Sequence, residues 1–103
     1  MRSFFLEGIT DQQLAASGLA EAFPEQSDAT TKVVFDPTGN DPISWLYVAE
    51  PDDPEEQQGP FLVQADVTGR LFDFDVNHRV IEALRLVQAR VGGTIRDDAG
   101  NTC

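Results

Sequence analysis

Apolar and polar side chains alternate between Phe61 and Thr68, in the sequence FLVQADVT. One set of alternate positions is wholly apolar, whereas the other becomes polar along its length. The first set comprises Phe61, Val63, Ala65 and Val67, and the second comprises Leu62, Gln64, Asp66 and Thr68. A period of two is typical of a strand that lays one face on a core. We therefore predict a half-buried strand over residues 61–68.

The next stretch changes to helical spacing. On a wheel of about 100° per residue, six apolar positions share one stripe: Val76, Val80, Ala83, Leu84, Val87 and Val91. Asp73 or Asp75 can cap the N-terminus, because a short carboxylate accepts hydrogen bonds from the first free amides. Gly92-Gly93 supplies the left-handed residue at which such helices end. The pattern predicts a long amphipathic helix covering the core, then a short strand from Thr94 to Arg96.

The N-terminal part predicts a strand from Ser3 to Gly8 and a helix that ends at about Phe23, before Pro24. Thr10 is the expected cap, with Gln13 reaching back to it as in a capping box. Ile9 and Leu14 occupy the two positions of a hydrophobic staple. The expected inward stripe has small residues in its middle and consists of Leu14, Ala15, Gly18, Leu19, Ala22 and Phe23.

The middle of the chain predicts two strands joined by a turn. Lys32 to Phe35 is a short β-prone run, and Asp36 to Pro42 contains the prolines, glycine and asparagine of turns. Ile43 to Glu50 is apolar on both faces, with Trp45 and Tyr47 on the same side. A strand that is wet on one face would normally alternate. This strand is therefore either covered on both faces, or exposed on one face that meets another molecule.

The resulting element order is β-α-β-β-β-α-β over a single domain, residues 1–103. It predicts an α+β fold: a two-layer sandwich in which an antiparallel sheet of four to five strands carries two helices on one face. Residues 50–59, EPDDPEEQQG, contain five acids and no apolar side chain other than proline. We call this segment the acidic loop and predict that it is solvated and mobile.

The inner order α-β-β-β-α resembles that of double-stranded RNA-binding domains. Those domains carry a lysine-rich start to their last helix, whereas this chain has Asp73, Asp75, Asn77 and His78 there. The resemblance is therefore one of element order alone, and the charge at this position argues against RNA binding.

The overall charge points in the same direction. Seven basic residues against 18 acidic ones give a formal charge of −11. Contacts with phosphates need clustered Lys and Arg, so direct binding of nucleic acid or of an anionic membrane is disfavoured. A basic protein, by contrast, would be attracted over long distances. With one cysteine, Cys103, with no apolar segment long enough to span a membrane, and with an N-terminal run too short for a signal peptide, we expect a cytoplasmic protein.

Candidate chemistry is sparse. Asp73, Asp75 and His78 form a D-x-D-x-x-H pattern that offers metal ligands, but helix capping accounts for both acids more simply. The chain has no nucleophile motif, phosphate-binding glycine loop or dinucleotide fingerprint. We therefore predict no catalytic residue, no metal site and no cofactor.

The features that a plain scaffold does not require are the acidic loop and the aromatic pair Trp45 and Tyr47. An aromatic anchor with an acidic rim suits a basic protein surface. The predicted partner-binding residues are Asp52, Asp53, Glu55, Glu56, Trp45 and Tyr47. We predict a small acidic protein-binding module, similar in size and charge to inhibitors, immunity proteins and antitoxins. The first alternative is an assembly subunit that forms a homo-oligomer such as a homodimer, and the second is an enzyme without a recognisable motif.

Overall fold

The computed structural model describes residues 2–26, 28–53, 55–67 and 74–103. Its elements are β1 (Arg2–Ile9), α1 (Gln12–Ala22), a short 3₁₀ helix (Pro24–Gln26), β2 (Lys32–Phe35), β3 (Pro42–Ala49), β4 (Phe61–Val67), α2 (Phe74–Val91) and β5 (Thr94–Asp97). This order confirms the predicted succession of strands and helices. The predicted strand is present over Phe61–Val67, with Thr68 outside the described residues, and the helix that follows it is present as α2.

The five strands form one antiparallel sheet in the order β2-β3-β4-β1-β5. Residues directly opposite each other on neighbouring strands point to the same face. Phe4 and Leu46 both lie opposite Ala65, and all three are buried at 2% exposure or less. Both helices contribute to the same core cluster as these three residues, with Leu19 from α1 and Leu84 from α2. The structure is therefore the predicted α+β sandwich with both helices on one face.

Helix α1 begins one residue later than predicted. Its cap is Asp11 instead of Thr10, and the Asp11 side chain accepts a hydrogen bond from the Gln13 amide at 2.7 Å. This shift moves Gln13 out of the third helical position, so the predicted capping box does not form. The nearer, charged carboxylate takes the free amide in place of the Thr10 hydroxyl.

Leu14 was placed on the inward stripe of this helix, and that prediction is wrong, because its side chain is 42% exposed. The buried positions of α1 are Ala15, Gly18 and Leu19. A Cβ atom added at Gly18 would lie 2.3 Å from Cγ1 of Val91 on α2. The small residues therefore bring the two helices into close contact, and this orientation turns Leu14 towards solvent.

Both outer edges of the sheet have partners within the chain. At β2, Oε1 of the Gln26 side chain accepts from the Val33 backbone amide at 2.7 Å, and Nε2 of the same side chain donates to the Val33 carbonyl at 2.8 Å. At β5, the chain turns back, so the Cys103 amide donates to the Ile95 carbonyl at 2.9 Å. Uncovered edges are templates for pairing with another chain. The described strands therefore offer little free edge at Val33 or Ile95.

Candidate partner-binding face

Trp45 and Tyr47 lie on the face of the sheet that carries neither helix. Trp45 is paired with Asp66 and Tyr47 with Gln64, whereas Leu46 between them is buried under the helices. Both aromatic side chains are partly buried. We call this side of the sheet the open face. Of the two alternatives for this strand, the structure shows an interior strand with helices on one face only.

A hydrogen-bonded cluster centred on Asp66 fixes part of the open face. The Tyr47 hydroxyl donates to Oδ2 of Asp66 at 2.5 Å. The Ser3 hydroxyl and the side-chain Nε2 of Gln64 each donate to Oδ1 of Asp66 at 2.8 Å. The four residues come from β1, β3 and β4, so one carboxylate links three strands. The Tyr47 ring is therefore fixed by its attachment to β3 at one end and by the hydrogen bond of its hydroxyl at the other.

The cluster shifts the pKa values of both acidic groups. Burial raises the pKa of Asp66, but the hydrogen bonds from Tyr47, Gln64 and Ser3 together outweigh burial and leave it below its usual range. Burial, the hydrogen bond to Asp66 and the negative charges of Asp66 and Asp52 raise the pKa of Tyr47 to about 12. At neutral pH Asp66 is therefore an anion and Tyr47 a neutral donor. The effect of Asp52 places the acidic loop within electrostatic reach of Tyr47.

The acidic loop has internal hydrogen bonds that centre on Asp53 and Gln57. The Asp53 carbonyl accepts from the Gln57 amide at 2.8 Å, and Oδ1 of Asp53 accepts from the Glu55 amide at 3.1 Å. The Gln57 side chain accepts from the Asp52 amide at 3.0 Å. Asp52, Asp53, Glu55 and Glu56 are all exposed. The mobility of the loop stays a prediction.

The C-terminal end of the loop is attached to β1 through Glu7. The Gln58 amide donates to Oε1 of Glu7 at 2.7 Å, and the Gly8 amide donates to the Gln58 carbonyl at 3.2 Å. Glu7 is only 2% exposed, and its Oε2 lies 3.8 Å from Nε of Arg96. Sequence reasoning missed Glu7 as a site residue. The one signal in the sequence was that Glu7 is an acid directly after the apolar run Phe4-Phe5-Leu6.

A cavity of about 260 Å³ lies between the acidic loop, β1 and the turn after β5. We call it the acidic cavity. Its walls include Phe5, Arg96 and six carboxylates: Glu7, Asp52, Asp53, Glu56, Asp97 and Asp98. In the part of the chain that the structure describes, Arg96 is the only cation that lines it. Converging carboxylates in a concave site concentrate the negative potential there.

The structure therefore brings some of the predicted site residues together and leaves others apart. Asp52, Asp53 and Glu56 line the same acidic cavity, and the charge of Asp52 helps to raise the pKa of Tyr47. Glu55 and Trp45 do not line this cavity. Asp97 and Asp98 join it only because β5 pairs with β1, a long-range contact that no local pattern reveals.

Neither the D-x-D-x-x-H pattern nor the preferred capping role of its two acids can be followed in full, since Asp73 and the side chain of Asp75 lie outside the described residues. Nε2 of His78 lies 3.3 Å from Oε1 of Glu82, and both side chains are more than half exposed. Within the described part of the chain, no three His, Cys, Asp or Glu side chains are grouped so that they could hold a metal ion.

Comparison with known proteins adds no family: the chain matches no family model, no curated protein and no solved structure. Neither helix, over the residues described, combines the length and apolarity needed to cross a membrane. The function therefore has to be inferred from the open face and the acidic cavity.

Proposed function

We propose that this protein is a non-catalytic binding module that holds a basic partner protein against its open face and acidic loop. The observation that supports the proposal is the shared location of the two features. Asp52 contributes to the pKa shift of Tyr47 and also lines the acidic cavity with Asp53 and Glu56. Asp52 therefore links Tyr47 electrostatically to the carboxylates of the acidic cavity.

Each feature contributes a different part of such an interaction. Trp45 and Tyr47 offer apolar area, and large aromatic side chains supply much of the energy at interfaces. Tyr47 is already fixed by its bond to Asp66, so its immobilisation costs less entropy on binding. The carboxylates of the acidic cavity accelerate encounter with a basic surface and select against acidic ones. Inhibitors, immunity proteins and antitoxins of comparable size and charge use the same physics against nucleic-acid enzymes.

The assembly-subunit alternative has less support. A homo-oligomer in which β3 or an edge strand pairs with a second copy would need free backbone groups, but β3 lies between β2 and β4. The outward groups of Val33 on β2 are occupied by Gln26, and Ile95 on β5 is bonded by the chain's own tail. A formal charge of −11 also opposes association of identical copies.

The enzyme alternative required acids with shifted pKa values in a pocket around His78 or Asp66. A cavity of about 430 Å³ is lined by His78 and Glu82 of α2, whereas Asp66 lies on the opposite side of the sheet, on the open face. Both oxygens of Asp66 already accept hydrogen bonds from Tyr47, Gln64 and Ser3. Neither group favours a particular reaction.

The proposal is tested by neutralising the acidic loop with the four substitutions Asp52→Asn, Asp53→Asn, Glu55→Gln and Glu56→Gln. The partner is first captured from native lysate on immobilised wild-type protein. The rate at which the captured partner associates with each variant is then measured at several ionic strengths. We expect the association rate at low salt to fall by about tenfold or more and its salt dependence to flatten, because steering by charge is lost.

A control variant carries the same change in net charge elsewhere. It combines the substitutions Asp28→Asn, Asp41→Asn, Glu21→Gln and Glu25→Gln, all at exposed positions outside the loop. This control should retain most of the rate. Unchanged affinity and salt slope in the loop variant would refute the proposal.

A further inference from the structure

A second concave site lies on the helix side of the sheet and owes its existence to unequal strand lengths. β3 runs from Pro42 to Ala49, but its pairing with β2 stops where Leu46 meets Lys32. Beyond that pair, a groove of about 530 Å³ remains between α1 and β3, closed at one end by residues 29–31. We call it the α1 groove. Most of its lining belongs to the helix side of the sheet, but Gln12 and Tyr47 also line it, so it meets the open face at Tyr47.

The walls of the α1 groove combine apolar surface with a few polar groups. Ala16, Leu19 and Ala20 of α1 face Val48 of β3, and Thr30 and Thr31 contribute hydroxyls. Among the described residues no carboxylate lines this groove, whereas three other surface cavities each include at least one acid. A cleft of this size with a largely apolar lining and few polar groups is typical of small-molecule sites.

Of the described residues in the groove wall, Lys32 alone is charged, and it is 2% exposed. Its ammonium donates to the carbonyl of Gln26 at 2.5 Å and to the carbonyl of Ala29. Ala29 itself lines the groove, so the ammonium lies beside it. A lysine has three N–H donors, and these two bonds use two of them. Within the described chain no carboxylate forms an ion pair with Lys32.

A buried cation that is bonded to carbonyls alone is incompletely compensated, because no negative charge balances it. We infer that the α1 groove is a binding site for a small organic carboxylate with an apolar body. The apolar body lies against Ala16, Ala20 and Val48. The carboxylate lies at the end formed by Thr30 and Thr31, where the charge of Lys32 attracts it and no acid of this groove repels it.

The test uses wild-type protein and three probes of equal chain length: octanoate, octanamide and octylamine. Binding is followed residue by residue from amide chemical shifts in ¹⁵N-labelled protein. We expect octanoate to shift Ala16, Leu19 and Val48 and to bind there about tenfold more tightly than octanamide. Octylamine should perturb the acidic cavity in place of the groove.

Two variants separate charge from shape. Lys32→Met should lower the affinity for octanoate about tenfold towards that of octanamide and leave the amide unchanged. Ala20→Leu fills the groove without touching Lys32 and should abolish binding of both, whereas Ser17→Leu on the exposed side of α1 should not. Equal affinities of the three probes in the groove, or no shift of its residues with millimolar octanoate, would overturn the inference. Because the test reads Ala16, Leu19 and Val48, which the partner-binding proposal does not use, either result leaves that proposal intact.

Discussion

At the scale of single residues, Asp66 shows how one carboxylate organises a protein surface. It accepts hydrogen bonds from Tyr47, Gln64 and Ser3 and remains ionised although it is partly buried. The pKa of Asp66 is below its usual range, so it contributes stability above the unfolded pKa, and this is lost as pH falls through the folded value. For Tyr47 the sign is the reverse at the alkaline end. Its raised pKa contributes stability below the ordinary value of 10.0 that is lost as pH rises to about 12.

This account makes a direct prediction, because Tyr47 is the only tyrosine in the chain. Alkaline titration followed by phenolate absorbance should give a midpoint of about 12 for the folded protein. The Asp66→Asn variant should move the midpoint towards the ordinary value, since it removes the charge and weakens the acceptor. Asp52→Asn, a more distant charge, should lower it by less.

Circular dichroism recorded along the same titration shows whether the protein is still folded at each pH. A wild-type midpoint near 10.0 while the fold is intact would contradict the hydrogen bond between Tyr47 and Asp66. A larger change with Asp52→Asn than with Asp66→Asn would contradict the assigned order of causes.

At the scale of elements, side chains from other parts of the chain occupy backbone groups of the edge strand β2. The Gln26 side chain bonds both backbone groups of Val33, as a neighbouring strand would. Arg79 of α2 donates to the Phe35 carbonyl at 2.6 Å, although Phe35 itself is 40% exposed. A short edge strand with an exposed aromatic ring is a site for unwanted pairing, and side chains that occupy its backbone groups reduce that risk.

We therefore expect Gln26→Ala to cause self-association. The substitution frees the amide and carbonyl of Val33, which can then pair with the same strand of a second copy. Sedimentation velocity should show a concentration-dependent dimer for this variant and a monomer for the wild type. Unfolding should cost about 1–3 kcal/mol less, because two hydrogen bonds are lost.

Gln13→Ala is the matched control, since Gln13 is an exposed residue of α1 far from β2 in sequence. A Gln26→Ala protein that remains monomeric at high concentration would show that Gln26 does not protect the edge.

The elements themselves were largely predictable from the sequence. The period of two at Phe61 to Val67 and the helical stripe of Val80, Leu84 and Val87 are local patterns. The structure buries most of the expected side chains, but Phe61 is only partly buried and Leu62, on the other face, is buried. The errors arose where local rules compete. Asp11 replaced Thr10 as the cap, and contact between Gly18 and Val91 set the rotation of α1 that exposes Leu14.

At the scale of the whole molecule, charge is distributed unevenly between the two layers. Arg79, Arg85 and Arg90 all lie on α2, whereas the acidic cavity on the sheet side has a single cation, Arg96, among its described lining residues. Composition predicted an acidic protein, but it could not predict this asymmetry. Glu7, Asp97 and Asp98 meet the acidic loop only through the pairing of β1 with β5 and the attachment of Gln58 to Glu7.

The same limit applies to the open face. Sequence alone showed that Trp45 and Tyr47 share one side of a strand, but the absence of a helix on that side depends on where α1 and α2 pack. The cluster around Asp66 was likewise invisible, because Ser3, Tyr47 and Asp66 come from three strands. Long-range pairing therefore decided which of the predicted residues form a surface.

The most direct test of the proposed function is the footprint of the captured partner, measured by cross-saturation from the partner to the amides of labelled protein. We expect the transfer to centre on Trp45, Tyr47 and residues 52–57, and to extend to residues 97–100. Transfer concentrated instead on the exposed side of α2, around Arg85 and Leu86, would contradict the assignment of the open face and the acidic loop as the binding surface.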